Sequence, residues 1–184
     1  MRLSINDLAR AFASGLFLAL TCACLSACNE MAAPAPNADA GAQFAMRGDA
    51  DMAAATMALA SIDGAPQDLS TRFRQAFDEA AAARKIATAP PPAARYLVRG
   101  YLSASPVEGG AEIDVVWDVF TSDKQRVQRL SDAMAVKGSG DDPWAMLDDA
   151  ALNSVAAKCA DDLAAYLSNT PEAAPASAAL SYAQ

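Results

Sequence analysis

The chain has 184 residues with 14 basic and 22 acidic side chains, a formal net charge of −8, and no histidine. An acidic surface of this kind repels phosphate backbones and anionic headgroups, which proteins hold through Lys and Arg, so nucleic acid is excluded as a partner. The missing histidine removes the commonest general base, every Ser-His triad and the usual zinc ligand.

In chain order, the first element is a leader. Arg2 and Arg10 bracket a short charged region, an apolar run follows over residues 11–20, and the segment closes on Leu25-Ser26-Ala27-Cys28. A charged start, a brief apolar core and small residues before a cut site make a secretory signal peptide over residues 1–27. The apolar run is shorter than the roughly 20 residues of a membrane span. Leu25-Ser26-Ala27-Cys28 resembles the lipobox of bacterial lipoproteins. That resemblance implies lipidation of Cys28, and two or three acyl chains anchor a protein stably. Asn29 follows Cys28 where an aspartate would retain an enterobacterial lipoprotein at the inner membrane, so the expected address is the outer membrane, facing the periplasm.

Cleavage before Cys28 removes Cys22, Cys24, Arg2, Arg10 and Asp7, which leaves 12 basic and 21 acidic residues and a net charge of −9. With Cys28 lipidated, Cys159 is the remaining thiol, and no intramolecular disulfide forms. Residues 28–55 are rich in Ala, Pro, Gly and Asp with one aromatic, Phe44. Such a composition buries too little apolar area to offset ordering entropy, and it reads as a flexible tether.

A folded domain is expected over residues 56–168. Met57–Ile62 reads as a strand ended by the turn residues Asp63-Gly64-Ala65-Pro66. From Asp68 to Lys85, Leu69, Phe73, Ala76, Phe77 and Ala80 share one helical face. Pro90-Pro91-Pro92 stops that helix. Three strands follow, at about 95–103, 112–120 and 126–136, joined by hairpin-length links and so paired antiparallel. In the middle one Ile113, Val115, Trp117 and Val119 alternate with Glu112, Asp114 and Asp118. Asp142-Pro143 opens a second helix that runs to Ser168, with Leu152, Val155, Cys159, Leu163 and Tyr166 on one face. Residues 169–184, again rich in Ala, Pro and Ser, read as a disordered tail. The fold class is α+β: an antiparallel-rich sheet of about four strands, with two helices on one face, in the order strand, helix, three strands, helix.

Gly64-Ala65-Pro66, Tyr96-Leu97-Val98-Arg99-Gly100-Tyr101, Val116-Trp117-Asp118-Val119 and Asp142-Pro143-Trp144 together resemble short alphaproteobacterial envelope lipoproteins of unassigned function. The resemblance implies a cell-envelope context and no activity. In topology the order of elements is also similar to the amino-terminal domain of TolB and to LpoB-like lipoproteins, which work by binding other envelope proteins.

No Gly-x-Ser-x-Gly, His-Glu-x-x-His or phosphate-cradling glycine loop occurs. Carboxylates pair at Asp114 and Asp118, at Asp141 and Asp142, and at Asp148 and Asp149. The first pair lies on an outward strand face within reach of Arg99 or Arg129, the second at a helix start, the third on a helix surface. The chain is therefore expected not to be an enzyme and to carry no cofactor or metal. Trp117 belongs to the core by its alternation, and Tyr101 and Phe120 are the candidate partner contacts. The expected function is that of a lipid-anchored accessory module, held to the membrane by its anchor, that binds an envelope protein. The alternative is a small-molecule or glycan binder that takes peptidoglycan or lipopolysaccharide.

Overall fold

A computed structural model describes residues 44–175. The leader, Cys28 and residues 176–184 lie outside them. Within the described residues, β1 (Met57–Asp63) leads into α1 (Gln67–Ala83). Then come β2 (Tyr96–Val107), β3 (Gly110–Thr121), β4 (Arg126–Lys137) and α2 (Asp149–Ser168). The sheet order is β1-β2-β3-β4. β1 runs parallel to β2, as a strand that reaches its neighbour through a helix can, and the other pairs are antiparallel. This is the expected α+β fold, with the expected order of elements.

Alternation sets the layers. Ile113, Val115, Trp117 and Val119 of β3 are buried, as are Val98 and Leu102 of β2 and Leu130 of β4. Both helices cover that face. Phe73 and Phe77 of α1 place their rings 6.3 and 5.0 Å from the Trp117 ring, and Lys158 of α2 reaches Asp132 of β4. Two ion pairs, Arg72–Asp149 and Arg84–Asp161, tie α1 to α2 along their exposed side. Among the described residues, the opposite face of the sheet carries no helix.

Three boundaries depart from the sequence reading. Asp142 accepts a hydrogen bond from Trp144 N–H, but it caps only a 3-10 turn at Pro143–Met146. Leu147 then turns inward to 3% exposure, and α2 begins two residues later with Asp148 as its cap, accepting from Ala151 N–H. Burial of one leucine thus divides what reads as a single helix. At the N-terminal side, residues 44–55 were expected within the tether, yet they pack on the domain. The Phe44 ring meets Tyr166 edge-on at 5.4 Å, Arg47 N–H donates to Ser168 Oγ, Asp51 N–H donates to Ala173 O, and Ala55 is fully buried. At the C-terminal side, residues 169–175 were expected in the tail. Instead, Thr170 and Ala173 are buried, and the Glu172 carboxylate accepts from the Tyr96 hydroxyl. The two segments hold each other against the end of α2. Neither stabilises itself, which is why composition alone reads both as loose chain.

Candidate functional site

The uncovered sheet face is the candidate interface. β2 contributes Leu97, Arg99 and Tyr101; β3 contributes Val116, Asp118 and Phe120; β4 contributes Arg126, Arg129 and Ser131. Registers Leu97↔Phe120, Arg99↔Asp118, Tyr101↔Val116 and Asp118↔Arg129 set them side by side. Of the two predicted contacts, Tyr101 is the exposed one at 37%, with Val127 beside the face at 44%. Phe120 is half-buried, because Arg99 lies over its ring at 5.7 Å from the centroid. A guanidinium over an aromatic face is held by the ring quadrupole. The face thus presents Arg99 where the sequence suggested an open phenyl ring.

Asp118 organises the middle of this face. Arg129 grips it with two hydrogen bonds, Nε to Oδ1 and Nη2 to Oδ2, each 2.7 Å, and Arg126 approaches at 3.6 Å. The Arg129 hydrogen bonds hold the Asp118 carboxyl below its usual value, against the burial that would raise it. Arg129 is one of the two partners the strand pattern offers. Arg99, directly opposite Asp118, takes the aromatic ring instead.

A second charged cluster, on the inner face, was not anticipated. Lys158 Nζ lies 2.6 Å from Asp132 Oδ1 and 3.0 Å from Asp162 Oδ2, and both carboxylates are buried. Burial, and then the neighbouring Asp132 carboxylate, push the Asp162 carboxyl up to about 6. A signal for it does exist in the sequence. Asp132 occupies the same strand face as Leu130 and Val136, and Lys158 and Asp162 are one helical turn apart.

Cys159 sits beneath the sheet at 1% exposure, and desolvation pushes its thiol up to about 12. The Trp117 indole faces it, and its Nε1 makes no well-formed hydrogen bond among the described residues. A thiol so protonated and enclosed is unreactive. Native protein should therefore label slowly with a maleimide at pH 7.5 and rapidly after denaturation, and Cys159→Ala should cost about 1 kcal/mol. Fast labelling of the native protein would place Cys159 at a surface.

Cys28 lies outside the described residues. Among those residues no group of three or more His, Cys, Asp or Glu side chains is arranged to hold a metal ion, and no helix is long and apolar enough to cross a membrane. A cavity of about 400 Å³ opens at the edge of β1, lined by Met57, Leu59, Ala82 and Ile86, with Arg74 and Asp78 as its charged residues.

No protein-family description and no curated protein matches the chain. Solved structures similar to it include the PelC dodecamer from Paraburkholderia phytofirmans. That match has 15% identity and a TM-score of 0.44, and covers 67% of this chain and 96% of the other. A minor lipoprotein from Acinetobacter baumannii matches at 10% identity and a TM-score of 0.41, covering 61% of this chain and 94% of the other. Likeness at this level carries no functional inference.

Proposed function

We propose that this chain is a lipid-anchored module of the bacterial cell envelope, facing the periplasm from the outer membrane, that acts by binding another envelope protein. The observation that carries the reading is the lipobox at Leu25-Ser26-Ala27-Cys28, set ahead of a domain whose first described residue is Phe44. The fifteen residues between Cys28 and Phe44 span at most about 50 Å. They join the domain where Phe44 packs on Tyr166, near the end of α2. The uncovered sheet face, with Tyr101 exposed and Arg99 over Phe120, is the surface offered to a partner; aromatics and arginine carry much of the energy at interfaces.

Two measurements test this reading. Cys28→Ser should abolish metabolic acyl labelling and leave unprocessed precursor; unchanged labelling and fractionation would remove the anchor. A photo-crosslinking residue at Tyr101 should capture an envelope protein that the same residue at Asn153, on the helix layer, does not. Capture from Asn153 alone would move the interface off the sheet.

The cavity at the β1 edge favours a second reading, a small-molecule or glycan binder. In that case Arg74→Ala should weaken ligand retention while crosslinking from Tyr101 is unaffected.

A further inference from the structure

The open edge of β4 has a geometry suited to a second copy of this chain. Gly138 N–H donates to Gly109 O, one step beyond the Gly110↔Lys137 pair, and the β3–β4 register then runs without a shift as far as Asp118↔Arg129. Antiparallel ladders alternate strictly, so the N–H and C=O groups of residues 130, 132, 134 and 136 engage β3. Those of Arg129, Ser131, Ala133 and Ala135 point away from it. Arg129 O is taken by Gln128 Nε2, but the backbone groups of Ser131, Ala133 and Ala135 have no backbone or side-chain partner among the described residues. The other edge is already engaged. Met57 N–H donates to Ala87 O, Ala89 N–H donates to Met57 O, and Arg74 Nη1 covers Leu59 O. Unpaired strand edges are templates for pairing, and β4 has neither proline nor a bulge between Arg129 and Lys137 to blunt it.

Charge selects the occupant. The uncovered face is basic where β4 begins, with Arg126 and Arg129, and acidic where β3 begins, with Glu112 and Asp114. Asp118 is already satisfied by Arg129, with Arg126 at 3.6 Å, whereas Glu112 and Asp114 enter no ion pair among the described residues. A twofold axis normal to the sheet sets β4 against β4 antiparallel, and so brings each copy's basic end against the other's acidic end. The same charges narrow the register. Centring on Asp132 would oppose two Asp132 side chains, and centring on Ala133 would oppose Arg129 and Lys137. Centring on Ser131 opposes Arg129 with Ala133, Val127 with Ala135, and Asp132 with Leu130. In that register Arg126 of the second copy is next in the chain to Val127, which opposes Ala135, whose partner on β3 is Glu112. Two strand spacings, about 10 Å, separate them, and the small side chain of Ala135 leaves the path open.

We infer that two copies of this chain pair through antiparallel β4 edges about Ser131, forming one eight-stranded sheet with an Arg126–Glu112 contact across each side of the axis. The inference concerns self-association and stands apart from the proposed envelope partner.

The test uses the full chain, purified in mild detergent with Cys22, Cys24 and Cys28 changed to serine so that buried Cys159 is the native thiol that remains. With a short bis-maleimide, Ser131→Cys should give a crosslinked species of twice the chain mass. Ala135→Cys should not, because its two thiols would stand about 27 Å apart. Ala133→Pro removes only an outward N–H, as edge strands tolerate. It should leave far-UV circular dichroism and Tm close to wild type, yet reduce crosslinking of Ser131→Cys at least tenfold. Arg126→Glu and Glu112→Arg should each weaken crosslinking, and the double exchange should restore it. No product from Ser131→Cys, equal products from Ser131→Cys and Ala135→Cys, or no restoration in the double exchange would overturn the inference.

Discussion

Lys158→Met should destabilise the protein by about 3 kcal/mol, measured as a fall in the midpoint of urea unfolding at pH 7.5. Lys158 is the cation between two buried carboxylates, 2.6 Å from Asp132 and 3.0 Å from Asp162. Its removal leaves like charges enclosed without compensation, a change worth roughly 3–5 kcal/mol for fully buried partners. The lower figure applies because the lysine side chain keeps 34% of its exposure. The same cluster sets a pH dependence. Burial and Asp132 raise the Asp162 carboxyl to about 6 from a usual 3.8, so the native state binds the proton more tightly than the unfolded chain. Wild-type stability should therefore rise as pH falls through 6 towards 4. Above pH 6 the cost of the charged carboxylate is fully present. Asp118 and Asp161, lowered by Arg129 and Arg84, work in the opposite direction, but only as pH falls below about 4. Asp162→Asn should flatten the slope between pH 4 and 6 and recover part of the loss in Lys158→Met. A wild-type profile that falls over that interval would refute the buried-carboxylate account.

Gly100→Ala should cost about 1–3 kcal/mol, the usual range for overpacking, although alanine suits a strand no worse than glycine. Gly100 pairs with Trp117 across β2 and β3, and a Cβ at Gly100 would stand 2.6 Å from Cζ3 of the indole. That ring cannot retreat, because Phe73 and Phe77 lie against it and its exposure is zero. Trp117→Ala should cost about 3–5 kcal/mol through the cavity it leaves. The pair should be strongly non-additive. In a Trp117→Leu background Gly100→Ala should become nearly neutral, since the space its methyl needs has been vacated. Equal penalties for Gly100→Ala in both backgrounds would show that the glycine is required for backbone reasons and not for the ring.

The glycine also shows how legibility divides. In the sequence Gly100 is an unexplained weak point in a strand, whereas the alternation of Ile113, Val115, Trp117 and Val119 marks the buried face directly. Only the register of β2 against β3 reveals that the glycine makes room for the tryptophan. The candidate interface divides in the same way. Tyr101 lies on the outward face by simple alternation, and Asp118 and Arg129 meet as cross-strand neighbours should. That Arg99 would cover Phe120 and leave Asp118 to Arg129 depends on competition among three strands, which no single segment encodes.

What the sequence determined by itself was everything carried by short-range periodicity and punctuation: four strands, two helices, their order, and the apolar faces of both helices and of β3. An amphipathic pattern states which side of an element avoids water, and turn residues state where it stops. The tertiary structure alone decided that residues 44–55 and 169–175 pack on the sheet and helices, where α2 starts, and which buried charges meet. Phe44, Ala55 and Ala173 sit in segments with no apolar stripe, and those segments are held by residues distant in the chain: Phe44 packs on Tyr166, Arg47 N–H donates to Ser168 Oγ, Asp51 N–H donates to Ala173 O and Glu172 accepts from Tyr96. Leu147 interrupts the helical run because the core has room for it. Asp132 can occupy an inward position because Lys158, twenty-six residues away, supplies its counter-charge. In each case the free energy comes from a surface assembled by residues distant in the chain, and local composition has no term for that surface.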